Sequence, residues 1–94
     1  MPTKVINTAA TTNLKQGPGR VYSIFCASVG TGFTIRLLDG PDSAGNAQTK
    51  LGAAAVTGTS NTYLLNPVQQ PLIFRDGIQI ITAGTPGEYE IEYD

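Results

Sequence analysis

Three glutamates near the end of the chain have the most obvious chemical use. Glu88, Glu90 and Glu92 alternate with Tyr89, Ile91 and Tyr93. On a strand, that period of two puts the carboxylates on one face, about 7 Å from one to the next. Two carboxylates about 5–10 Å apart can serve as acid and base in glycoside hydrolysis. That use requires one of them to be desolvated, so that its pKa rises toward the working pH. The alternation argues against it, because the apolar partners take the inward face and leave the glutamates outside. The expectation is a solvated strand face that discourages edge pairing, or a docking surface for a basic partner.

The remaining candidates resolve into turns and core. Asp39, Asp42 and Asn46 lie in the run Asp39-Gly40-Pro41-Asp42-Ser43-Ala44-Gly45-Asn46 and offer hard oxygens to a cation. A calcium loop sets its ligands at alternate positions, follows with Gly and closes with a distal Glu. Here Gly40-Pro41 separates the aspartates and no distal Glu follows, so the run reads as a turn. Gly17-Pro18-Gly19-Arg20 and Gly30-Thr31-Gly32 have the glycines of a phosphate loop. They lack its Lys-Ser/Thr ending and its helix, and both precede strands. Cys26 lies in the apolar run 21–27, where a lone Cys behaves as a small hydrophobe. A thiolate nucleophile would need a cationic or basic partner, and the chain has no His. No catalytic, cofactor-binding or metal-ligating residue is assigned, and no cofactor is expected.

Composition narrows the classes further. The chain has 94 residues, enough for one domain. With no His and one Cys, a His-based triad, a His metal site, a zinc cluster and an intrachain disulfide are excluded. Charged residues make up 14%, against roughly 25% in an average soluble domain. The six Lys and Arg residues are scattered and the net charge is −1, whereas nucleic-acid binding needs a basic stripe or groove. No apolar run approaches the roughly 20 residues of a membrane helix, and the N-terminus leads into no signal-type segment. No nucleic-acid or membrane partner is expected, and the whole chain is expected to fold in a reducing cytoplasm.

The elements that position these residues are short strands. Gly, Pro, Asn and Asp punctuate the chain at intervals near ten residues, and the Ala-rich run 52–56 is too short for a stable helix. Strands are expected over 3–8, 20–28, 33–39, 49–56, 62–66, 72–74, 78–82 and 88–93. The segment 20–28 is apolar on both faces, with Val21, Phe25 and Ala27 on one and Tyr22, Ile24 and Cys26 on the other. With 33–39 it reads as a β-hairpin across Gly30 and Gly32, and Arg75-Asp76-Gly77 reads as a second hairpin turn. Pro67 and Pro71 argue against a central strand between them. The expectation is an all-β chain, a small antiparallel β-sandwich or jelly-roll-like barrel of about seven to eight strands. One domain over 17–94 would follow an N-terminal arm, 1–16, carrying a first strand.

The order of these pieces is similar to a known type. Gly19-Arg20-Val21-Tyr22-Ser23-Ile24, Gly30-Thr31-Gly32-Phe33-Thr34-Ile35, Leu38-Asp39-Gly40, Gly77-Ile78-Gln79-Ile80-Ile81-Thr82 and Glu90-Ile91-Glu92-Tyr93 follow one another. Over 17–94 this resembles the small β-sandwich virion proteins of tailed bacteriophages, of the head cement or decoration kind. The resemblance implies a non-enzymatic structural protein on the capsid exterior, made in the host cytoplasm. It also implies a homo-oligomer, a trimer in the first instance, that binds the major capsid protein and braces neighbouring subunits. Terminal arms of such proteins touch the capsid, so 1–16 is expected to do the same. Low charge and a doubly apolar strand suit an interface, and Tyr22, Ile24, Arg36 and Leu38 are expected at it. A tail, fibre or head–tail joining component is the alternative within this class. A carbohydrate-binding β-sandwich is the alternative outside it, although such modules often display Trp and this chain has none.

Overall fold

The computed structural model describes residues 2–94, and for 52–56 the backbone alone. Nine strands are present among the described residues: β1 (Thr3–Ile6), β2 (Thr11–Gln16), β3 (Gly19–Ser28), β4 (Thr31–Asp39), β5 (Gln48–Thr57), β6 (Thr62–Leu65), β7 (Leu72–Phe74), β8 (Gly77–Thr85) and β9 (Glu88–Tyr93). They form two antiparallel sheets. The first runs β1-β9-β3-β6, with β7 also on β3, and the second runs β2-β8-β4-β5. The chain is a small all-β sandwich.

Consecutive strands fall at matching positions of the two sheets. The pairs β1/β2, β9/β8, β3/β4 and β6/β5 each straddle the sandwich. This pairwise winding is that of a double-sheet jelly roll. It corrects the two expected hairpins, because β3 and β4 lie in different sheets, and so do β7 and β8. The turn glycines are real, but they turn the chain across the sandwich. Gly30 has a φ of +58°, and a Cβ there would run into the Thr85 carbonyl.

The core lies between the sheets. Val21, Ile24 and Cys26 of β3 and Tyr89 and Ile91 of β9 face Phe33, Ile35 and Leu37 of β4 and Ile78 and Ile80 of β8. All are fully buried. Tyr89 ties the layers together: its hydroxyl donates to the Phe33 carbonyl (2.6 Å) and accepts from the Gly58 N–H (3.0 Å). Its ring stacks on Phe33 with centroids 5.3 Å apart. Gly58 is required by close approach, since a Cβ there would come within 2.8 Å of the Cys26 Cβ.

A β-bulge explains why the faces of β3 are not those of a regular alternation. Val21 pairs with Tyr93, Ser23 with Glu92, Ile24 with Ile91 and Phe25 with Glu90, with a register shift between Val21 and Ser23. Tyr22 is the extra residue. Beyond it the alternation inverts, so Val21 and Ile24 both point inward and Phe25 points outward.

The residues expected as an arm with a first strand form β1 and β2, an edge strand of each sheet, with Met1 outside the described residues. β1 pairs with β9 and β2 with β8. The connection between them is clamped by the buried Thr82, whose hydroxyl donates to the Thr8 carbonyl (2.6 Å) and accepts from the Ala10 N–H (3.1 Å).

Candidate functional site

β9 is not an edge strand. It lies between β1 and β3, so its glutamates do not serve to block an edge, and they stand in the middle of an outer face. Tyr89 and Ile91 point into the core and Tyr93 packs against it, which leaves Glu88, Glu90 and Glu92 outside. The register fixes their neighbours. Val5 pairs with Glu90, Glu90 with Phe25 and Phe25 with Tyr63. These four form one row across four strands, spanning roughly 14 Å at the usual strand spacing. The next row on one side is Thr3, Glu92 and Ser23, and on the other side of the Glu90 row Glu88 lies opposite Ser28.

The two rows line a shallow open depression of about 340 Å³ bounded by Thr3, Ser23, Phe25, Tyr63, Glu90 and Glu92. The Phe25 and Tyr63 rings meet edge to face, with centroids 5.0 Å apart and planes at 64°. Tyr63 is 45% exposed and Val5 46%, so the row presents apolar and aromatic side chains to solvent on both sides of the Glu90 carboxylate. Ser23 is 8% exposed. It lines the depression, and among the described residues its hydroxyl has no hydrogen-bond partner. Glu90 and Glu92 likewise have no salt bridge or side-chain hydrogen bond among the described residues.

The outer face of the other sheet differs. Two polar pairs lie on it: Arg36 donates to the Thr49 hydroxyl (3.0 Å) and Gln79 to the Asn13 amide oxygen (3.0 Å).

The four residues expected at an interface do not come together. Ile24 is fully buried in the core, a correction that follows from the bulge at Tyr22. Leu38 is also buried, 7% exposed, on the far side of β4 from the core cluster. Tyr22 and Arg36 are half-buried but belong to different sheets. Tyr22 donates to the Asp94 carboxylate (3.0 Å), which also accepts from Arg20 (3.1 Å). The Tyr22 hydrogen bond, then Arg20, hold the Asp94 carboxyl below its ordinary value against the opposing effect of burial.

The oxygen-rich loop is a clamp on backbone. The Asp42 carboxylate accepts from the N–H groups of Ala44 and Asn46, both at 2.9 Å. Asp39 is 6% exposed and accepts from the N–H groups of Arg75 (3.0 Å) and Asp76 (2.8 Å). No group of three or more potential metal ligands occurs among the described residues. Burial pushes the Cys26 thiol up, which disfavours the thiolate.

No family model matches the chain, and no curated protein or solved structure does either. No helix among the described residues is long and apolar enough to cross a membrane.

Proposed function

We propose that this chain is a non-enzymatic structural protein of a bacteriophage virion, specifically a cement protein that binds the major capsid protein from outside and braces neighbouring subunits as a trimer. The observation that carries the docking part is the row Val5, Glu90, Phe25 and Tyr63 on the outer face of the first sheet. Exposed aromatic and aliphatic side chains on a rigid sheet act as anchors in protein interfaces. The virion part rests on the resemblance over 17–94. It is favoured by the winding, since double-sheet jelly rolls recur in viral capsid and lectin domains, an analogy at the level of fold. A rigid domain that touches several subunits at once adds weak contacts by avidity and needs no ionisable site.

Copy number in purified particles tests this reading. Quantitative mass spectrometry of particles from the phage that encodes the chain is expected to find it in numbers comparable to the major capsid protein. A few copies per particle would favour a tail or head–tail joint, and absence from the particle would overturn the virion reading. A carbohydrate-binding role is the second reading, favoured by the single ring of Tyr63, 45% exposed at the depression. A glycan array tests it.

A further inference from the structure

We infer that the depression on the outer face of the first sheet is a receptor for an extended segment of a partner protein carrying Arg or Lys at alternate positions. The inference rests on the reading that this face docks protein, and it names the chemistry of what docks. Three observations carry it. Glu88, Glu90 and Glu92 present carboxylates along β9 at a repeat of about 7 Å, and an extended chain presents every second side chain at the same repeat. Glu90 and Glu92 have no cationic neighbour within salt-bridge distance among the described residues, so an incoming cation meets charge that the fold has not neutralised. Ser23 is 8% exposed and lines the depression, and its hydroxyl, which bonds to no described residue, is accessible rather than buried.

The aromatic pair selects the kind of ligand. Phe25 and Tyr63 stand at 64° to each other, so they offer no flat platform on which a sugar ring could lie across both. They do offer a ring face beside a carboxylate, which suits a guanidinium or ammonium group by cation–π and charge-assisted hydrogen bonding together. A neutral sugar can donate hydroxyls to Glu90 and Glu92 but brings no opposite charge to them. A guanidinium supplies that charge, and its fork matches a carboxylate. One cation would sit on Glu90 beside the Phe25 ring, and the next on Glu92 within reach of the Ser23 and Thr3 hydroxyls.

The test is a titration of the full chain with the blocked peptide Gly-Arg-Gly-Arg-Gly, followed by NMR. Amide shifts are expected at Ser23, Phe25, Tyr63, Glu90 and Glu92, with a Kd of about 1 mM for so short a probe. Raising the salt from about 50 mM to about 500 mM is expected to weaken binding. The peptide Gly-Arg-Gly-Gly-Arg-Gly, which breaks the alternation, is expected to bind more weakly, and Gly-Glu-Gly-Glu-Gly not at all. Glu90→Gln with Glu92→Gln is expected to lower affinity about tenfold or more. Both positions face solvent, so the fold should survive, and an unchanged circular dichroism spectrum checks that. Phe25→Leu is a second variant, expected to weaken Arg binding while leaving both carboxylates. Absence of shifts at these residues up to about 10 mM peptide would overturn the inference. So would saccharide binding at the same residues with the peptides silent. Loss of peptide binding with the chain still abundant on particles would sink the cation receptor alone. Peptide binding by a chain absent from particles would sink the virion reading alone.

Discussion

Asp39 is the only buried carboxylate among the described residues. Burial alone would raise its pKa, but the N–H groups of Asp76, Arg75 and Gly77 outweigh that and hold it below its ordinary value. A carboxyl whose folded pKa is depressed stabilises the fold above the unfolded value, about 3.9, and loses that contribution as pH falls through the folded value. Stability measured by urea unfolding is therefore expected to be flat in this respect above about pH 5 and to fall below about pH 4. Asp39→Asn should cost roughly 1.5–3 kcal/mol at neutral pH, because an amide replaces a charged acceptor of backbone N–H groups. It should also flatten part of the acid limb, and an unchanged limb would show that other carboxyls set it. Tyr89→Phe keeps the ring on Phe33 but strands the Phe33 carbonyl and the Gly58 N–H. The expected loss is about 1–3 kcal/mol by the same measurement, with the strand pattern intact.

At the scale of elements, the terminal segment has become structure. Removing residues 2–16 would strip β1 from β9 and β2 from β8, exposing two long strands as edges. The truncated chain is expected to aggregate or fail to give a cooperative thermal transition. A soluble, cooperatively folding truncation would mean that the two edge strands are dispensable. Much of the strand content was legible, because 20–28, 33–39 and 88–93 combine β-branched and aromatic residues with turn residues at their ends. β2 was not, because Thr11-Thr12-Asn13-Leu14-Lys15-Gln16 is polar on nearly every position, as suits an edge with little to bury. The hairpins were misread because glycine turns look alike whether the chain returns to its own sheet or crosses to the other. Ile24 and Phe25 exchanged faces because one extra residue, Tyr22, inverts a period-two pattern without leaving a mark in composition. The candidate face was legible only in part. The three glutamates announce it, but the row from Val5 to Tyr63 exists only through the register of four strands distant in sequence.

At the scale of the whole molecule, the two outer faces differ in chemistry. One carries two internal polar pairs, Arg36 with Thr49 and Gln79 with Asn13. The other holds the exposed Tyr63 ring, the half-buried Phe25 and, among the described residues, carboxylates without a salt bridge. If the chain self-associates through the acidic face, Glu90→Lys should shift the mass seen by light scattering. If the trimer uses other surfaces, that substitution should leave the mass unchanged and abolish capsid binding. Light scattering on the native chain and on this variant, with capsid occupancy as the second readout, separates the two.

The winding of the sandwich also dictates an order of events during synthesis. β9 lies between β1 and β3, and β8 lies between β2 and β4, yet β8 and β9 are made after all of these. Until residue 77 is available, β3 can pair with β6 and β7 and β4 with β5, but β1 and β2 have nothing to pair with. The nascent chain therefore holds its partners apart for most of its length, and nearly every pairing it finally makes joins distant segments. Folding of this kind is slow for its size, and the incomplete sheets carry open edges while they wait. A chain this small would thus behave in the cell as a late folder, dependent on finishing its last two strands before its neighbours find one another.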